Sequence, residues 1–188
     1  MIYAIVGTIL ILCIQIVEQT QQFGQKKFIV YNIPKTSAMD FISSKSNVLL
    51  TDSVFAKNES GLLFHVKHNW WELGIDDTKI VSGNIQSGNL KIENTFVQFS
   101  DKRIAVLNKS LKIKETATSF QPLKLDYLII SNNTKMNIAE IEQLFDAKMI
   151  IFDSSNSEYN INKWKEDCSK SGQNYYSVID NGAFELAM

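Results

Sequence analysis

Residues 125–152, LDYLIISNNTKMNIAEIEQLFDAKMIIF, decide how the chain is put together. Asp126–Ser131 is an apolar run of strand length with no Pro or Gly inside it. Asn137 is placed to cap the next element, with Glu140 three residues on to reach back to its N–H. Ile138, Ile141, Leu144 and Phe145 then fall on one helical face. Lys148–Phe152 is a second apolar run, closed by the turn-prone Asp153-Ser154-Ser155-Asn156. A strand–helix–strand crossover of this kind sets its two strands parallel in one sheet. Sites in such sheets lie at the carboxyl ends of strands. Ser131-Asn132-Asn133 holds that place here.

Beyond this unit a helix is expected over Ile161–Ser171, capped by Asn160 and stopped by Gly172. Ile161, Trp164 and Cys168 share its apolar face. A strand at Tyr175–Ile179, a turn at Asp180-Asn181-Gly182 and a last strand at Ala183–Leu186 predict a closing hairpin. Before the unit the chain reads as β-rich. Lys27–Asn32, Ala38–Ile42 and Asn47–Thr51 predict a meander, Ser53–Ser60 a polar loop or one helical turn, and Leu62–Val66 a further strand. Lys79–Ser82, Leu90–Ile92, Thr95–Phe99 and Arg103–Leu107 continue the series, with Ser87-Gly88-Asn89 suited to a hairpin turn. Lys109–Lys124 is polar and reads as a surface connection. The fold class is therefore α/β (α+β), with a β-rich N-terminal half and a β-α-β-α-β C-terminal half.

The first 17 residues, MIYAIVGTILILCIQIV, carry no charge. At ~1.5 Å per residue they reach about 25 Å, just under a hydrocarbon core of ~30 Å. A signal peptide wants a positive start and a small-residue cleavage site, and neither is visible. The expectation is a transmembrane helix over residues 1–22, a short Gln-rich linker within Glu18–Gln25, and one soluble domain over 23–188. A membrane helix this close to the first residue suggests the tail of a longer membrane protein. Lys26 and Lys27 favour a cytoplasmic C-terminal side. Cys13 lies in the apolar run, which argues against a disulfide to Cys168.

A search for chemistry returns little. The net charge of −1 supplies no basic field for nucleic acid. His65 and His68 are the only two histidines. They stand i, i+3, on opposite faces of a strand though not of a helix. No Cys pair at metal spacing and no Gly-rich phosphate loop is present. Asp52, Asp101, Asp153 and Asp180 read as turn formers. Ser154 and Ser155 lack a His base, so nucleophilic catalysis is unsupported. Trp70 and Trp71 within KHNWWELG cannot both face one core from a strand, since neighbours alternate. One is expected in the core, the other at a sheet edge or on lipid headgroups.

Taken together, the segments resemble the C-terminal part of a ComEC-type competence protein in its short, Bacteroidetes form. Residues 27–52 (KFIVYNIPKTSAMDFISSKSNVLLTD) are similar to that family's opening meander and aspartate, and 102–107 (KRIAVL) to its later strand pair. Residues 125–135 (LDYLIISNNTK) stand where the family reads Asp, apolar run, Ser-His-His-Gly-Ser. Residues 151–164 (IFDSSNSEYNINKW) and 180–186 (DNGAFEL) resemble its closing segments. The resemblance implies a last membrane helix followed by a metallo-β-lactamase-like sandwich, in an integral protein of the inner (cytoplasmic) membrane. It implies the rest of a polytopic channel and other competence proteins as partners, in the uptake of DNA during natural transformation. That role would place the domain on the outer face, against Lys26 and Lys27.

The departures carry as much weight. The family's His-x-His-x-Asp-His loop has no match; His65-Val66-Lys67-His68 has the wrong spacing. Asn132 and Asn133 occupy the later histidine pair, and an amide is a poor substitute for imidazole on zinc. So few residues lie between Asp52 and Lys102 that a trimmed sandwich is expected. The reading is a domain without catalytic residues, metal or cofactor, in which Asn132 and Asn133 cap their own loop. It would scaffold the channel mouth or guide single-stranded DNA, with Trp70, Trp71, Lys102, Arg103 and Lys135 as contacts. One alternative is a divergent phosphodiesterase holding a hard cation on Asp52, Asn132 and Asp153. The other is a membrane-anchored protein-interaction module.

Overall fold

The computed structural model describes residues 2–110 and 121–188. Helix α1, Ile2–Gly24, leads into strands β1 (Lys26–Val30), β2 (Ala38–Ser43) and β3 (Ser46–Thr51). A helical stretch follows, containing α2 (Glu59–Leu62) and α3 (His68–Glu72). Next come β4 (Asp77–Val81), β5 (Ile85–Ser87), β6 (Leu90–Glu93), β7 (Phe96–Phe99) and β8 (Lys102–Leu107). The C-terminal part holds β9 (Leu123–Ile130), α4 (Ile138–Leu144), β10 (Phe145–Phe152), α5 (Glu158–Ser171), β11 (Tyr175–Ser177), α6 (Val178–Asn181) and β12 (Phe184–Ala187).

These strands form two sheets, ordered β12-β1-β2-β3-β4 and β11-β10-β9-β8-β7-β6-β5. Period-2 alternation gives each sheet an inner and an outer face. Phe28, Val30, Met39, Phe41 and Val48 from the first sheet meet Phe99, Ile104, Ile129 and Ile151 from the second in one core. Ile29, Ile42 and Leu49 point the other way and are covered by Leu62, Val66 and Trp70. On the far side, Leu128, Ile130 and Phe152 are covered by Ile138, Ile141, Ile161 and Trp164. The order of layers is helix, sheet, sheet, helix.

The crossover unit forms as its pattern requires. β9 and β10 are parallel, with Ile130 beside Phe152. Asn137 accepts the Glu140 N–H at 2.8 Å while Glu140 accepts the Asn137 N–H at 3.0 Å, a capping box. Phe145 departs from expectation. It opens β10 instead of closing α4, yet is still buried against the α4 layer. In the middle of the pair the strands change phase. Leu125 and Ala147 pack outward, whereas Tyr127 and Met149 pack inward. At the change, the Asp126 carboxylate accepts the Arg103 N–H at 2.9 Å and the Lys148 ammonium at 2.7 Å. It stands in for a ladder acceptor and satisfies a strand donor.

Several other expectations need correcting. Residues 62–67 are helical, not a strand, and 68–72 continue as α3. Leu62, Val66 and Trp70 recur every four residues and are all buried, the period of a helix face. Asn58 caps this stretch by accepting the Gly61 N–H at 3.0 Å. Helix thus covers the first sheet within the stretch after Asp52, where a trimmed layer was expected. Residues 18–24 extend α1 and are not a linker. β5 forms an additional strand, and its two-residue turn with β6 uses Gly88 at φ 56°. Of the connection expected over Lys109–Lys124, residues 111–120 lie outside the described ones, and Leu123 and Lys124 are already in β9. α5 starts at Glu158 with Ser157 as cap, so Asn160 sits in its first turn. No hairpin closes the chain. β11 pairs with β10, α6 replaces the end of the expected strand, and β12 crosses to the other sheet beside β1.

Candidate functional site

A cleft of about 410 Å³ opens between the two sheets at the end where β3 and β9 finish. Thr51 and Asp52 line it from the first sheet, Ser131 and Asn132 from the second. This is the strand-end position where the sequence directs a search.

Two loops lock together on the second-sheet side. Asn132 and Asn133 both adopt the left-handed region, at φ 55° and 52°. Asparagine tolerates that region better than other residues with a Cβ. The loop after β10 takes both backbone donors of the pair. Asn132 N–H donates to Ser155 Oγ at 2.7 Å, and Asn133 N–H to Asn156 Oδ1 at 2.9 Å. Asn156 is itself buried, and its amide donates to the Ile130 carbonyl at 2.6 Å. The expectation that the Asn133 side chain bonds its own loop is corrected. Its oxygen accepts the Ser157 N–H at 2.7 Å and the Asn160 amide at 2.8 Å, at the start of α5. The Asn132 side chain is exposed toward the cleft.

The carboxylates proposed as cation ligands have other partners. Asp52 Oδ1 accepts the Val54 and Phe55 N–H groups, both at 2.8 Å, and so begins the next helical turn. Asp153 is fully buried and does not line the cleft. Its Oδ1 accepts the Ser155 N–H at 3.0 Å and the Ser155 hydroxyl at 2.5 Å. Burial pushes its pKa up to about 6, against the pull of these bonds. Asp52 and Asn132 therefore share the cleft, and Asp153 stays outside it. Among the described residues no group of three or more His, Cys, Asp and Glu side chains could hold a metal ion. One carboxylate, already bonded, with amide and hydroxyl oxygens is not a zinc donor set. The site does not fit the metal implied by the fold resemblance. Of the other two aspartates read as turn formers, Asp101 pairs with Lys102 at 2.5 Å and Asp180 with Lys165 at 2.8 Å.

The five proposed contact residues are not brought to one surface. Trp70 is buried, and its indole N–H donates to Asp40 at 2.6 Å, so it presents no ring for stacking. Its neighbour Trp71 is 60% exposed, in the split expected of the pair. Lys102 and Arg103 begin β8, whereas Lys135 follows the finish of the parallel strand β9, at the opposite end of the sheet. The ion pair with Asp101 engages Lys102.

Sequence reading missed the polar cluster beneath the first sheet. Asp40 is fully buried, and accepts from Trp70, from the Asn47 amide at 2.8 Å and from the Tyr31 hydroxyl at 3.1 Å. Burial drives its pKa up to about 6, with the three donors pulling it down. Tyr31 in turn accepts from Asn69 at 2.9 Å, so the cluster fastens α3 to the sheet. An aspartate amid AMDFIS, a run otherwise of strand type, was its one visible signal.

The fold and the site define a four-layer α/β domain with a strand-end cleft lined by Thr51 and Asp52 from one sheet and Ser131 and Asn132 from the other. Residues 28–188 match the family model of the ComEC C-terminal domain, and the chain belongs to that family. ComEC proteins are membrane proteins of competence, whose business is DNA uptake. Neither a curated protein nor a solved structure matches the chain.

Proposed function

We propose that this domain is a non-catalytic, membrane-tethered scaffold at the mouth of a competence DNA-uptake channel, built on a metallo-β-lactamase-like sandwich. One observation carries the reading. Asn133 stands at a resembling histidine position, and its side-chain oxygen is committed to the start of α5. A residue that ties two loops together has a structural role at the place where a ligand would stand. The layer order of helix, sheet, sheet, helix supports the sandwich. α1 supports the tether. Residues 5–24 are long and apolar enough to cross a membrane, and the helix is unburied along that span. Separation of Arg103 from Lys135, with Trp70 buried, favours scaffolding over guidance of single-stranded DNA.

The test is metal content and cleavage by the purified full chain. The expected result is no stoichiometric zinc and no Mg²⁺- or Mn²⁺-dependent cutting of single-stranded DNA. Zinc retained at one equivalent and lost on His65→Ala or His68→Ala would overturn the proposal, as would metal-dependent cleavage lost on Asp52→Asn.

A further inference from the structure

The end of α1 is bolted to the helical layer of the first sheet. Gln25 Nε2 donates to the Leu73 carbonyl at 2.7 Å and to the Ser44 carbonyl at 2.8 Å, while Gln25 accepts the Ser44 N–H at 2.9 Å. The Gln22 side-chain amide packs onto Gly74, whose φ is 65°, and a Cβ there would displace it. Lys45 holds its ammonium 5.1 Å from the centre of the Phe23 ring. The C-terminus of α3 is thereby pinned beside the point where α1 leaves its apolar stretch.

Trp71 is in the last turn of α3, three residues before Gly74, with its ring 60% exposed and edge-on to His68 at 5.0 Å. Phe23, at the end of α1, is 62% exposed. The candidate span ends at Gly24, which puts Gln22 and Phe23 at its edge, and the three residues from Trp71 to Gly74 span about 4.5 Å at helical rise. The polar layer of one leaflet is about 5–7 Å deep. Both rings therefore fall within reach of that layer when α1 crosses the bilayer. Tryptophan is the side chain that settles at this depth, with its apolar body in the acyl boundary and its N–H toward water.

We infer that Trp71, with Phe23, rests in the headgroup layer of the membrane that α1 crosses, and fixes the tilt of the domain against it. The inference rests on the reading of α1 as a membrane span, and it takes Trp71 out of the DNA-contacting set. Lys45 is paired with Asp76 at 3.7 Å and Glu72 and Asp77 stand close by, so the local charge does not favour anionic lipid and the contact is expected on a neutral surface.

The full chain in neutral phosphatidylcholine vesicles supplies the test. Trp70 and Trp164 are buried, and the difference between wild type and Trp71→Phe isolates the signal of Trp71. Lipids brominated near the headgroup end are expected to quench that signal, and aqueous iodide to leave it untouched. Gln25→Ala, which removes the side-chain bonds to the Leu73 and Ser44 carbonyls, is expected to restore iodide access while the chain stays with the vesicles. A fluorophore on Trp71→Cys gives a second reading of depth. If Trp71 stays open to iodide and blind to brominated lipid in chain that pellets with vesicles, the inference falls and the tether stands. Shielding from iodide without lipid quenching would assign the ring to a second copy of the chain and overturn it too. If the chain does not associate with vesicles, the membrane reading of α1 fails with it.

Discussion

The side-chain oxygen of Asn133 accepts the backbone N–H of Ser157 at 2.7 Å, which joins the loop after β9 to the first turn of α5. That bond satisfies a donor at a helix start, where the first N–H groups have no partner within the helix. It also spans 24 residues of sequence.

Truncation of this side chain should be felt as stability. Asn133→Ala removes both acceptor contacts and leaves a Cβ residue at φ 52° without the tolerance of asparagine. A loss of about 1–2 kcal/mol is expected, the scale of a lost cap. Asn133→Gly should lose less, because the backbone keeps its freedom. Chemical denaturation of the two variants checks the order, and equal losses would contradict it.

Replacing the pair with Asn132→His and Asn133→His should not create a zinc site. The nearest carboxylate in the cleft, Asp52, has its Oδ1 engaged by Val54 and Phe55. Two imidazoles fall short of the three or four ligands zinc takes. Elemental analysis of the double variant is expected to show less than one equivalent of zinc and a destabilised fold.

Asp40 and Asp153 set a pH dependence. Each has a folded-state pKa raised by burial to about 6. The unfolded chain releases these protons near the ordinary aspartate value of about 3.9. Between those values the folded state binds more protons, so stability falls as pH rises. The contribution is full below the unfolded value and is lost as pH climbs through about 6. Thermal midpoints should therefore drop between about pH 4 and pH 6, and Asp40→Asn should flatten the slope. Asn47 Oδ1 lacks a hydrogen-bond partner among the described residues, so a turned Asn47 amide can accept from the N–H group that Asp40→Asn introduces. Asp126 works in the opposite sense. Burial raises it, but the Arg103 N–H and Lys148 hold it below the usual value, so its effect is confined to lower pH.

Trp70→Phe tests the two tryptophans against each other. It keeps a ring in the core and deletes the N–H bonded to Asp40, with an expected cost of about 1.5–3 kcal/mol for a bond to a charged group. Trp71→Phe should leave the unfolding free energy within about 0.5 kcal/mol of wild type, as exposed changes do. A larger loss from Trp71 than from Trp70 would contradict the burial assignment.

Much of the C-terminal half was legible because its signals are local. Asn137 and Glu140 announce a capping box within four residues, and Gly172 marks the stop of α5 at φ 76°. The stretch around Leu62 was misread for a physical reason. LLFHV is apolar and contains a β-branched residue, so a short window suits a strand, and only the four-residue spacing out to Trp70 reveals the helix. The closing hairpin failed on the same ground. A turn-like Asp180-Asn181-Gly182 says that the chain reverses, but not that β11 and β12 belong to different sheets.

The sequence by itself determined the parallel crossover of β9 and β10, the strand-end position of Asn132 and Asn133, an apolar first helix, and the ComEC resemblance that the family match confirms. Those properties follow from periodicity, caps and residue type, which act over a few residues. Only the layers packed against one another settle which tryptophan is buried, that Asp153 stays out of the cleft, and that Asn133 bonds the residue capping α5 rather than its own loop. Burial and long-range hydrogen bonds are set by what the opposing layer places within about 3 Å, and no local pattern records the partner.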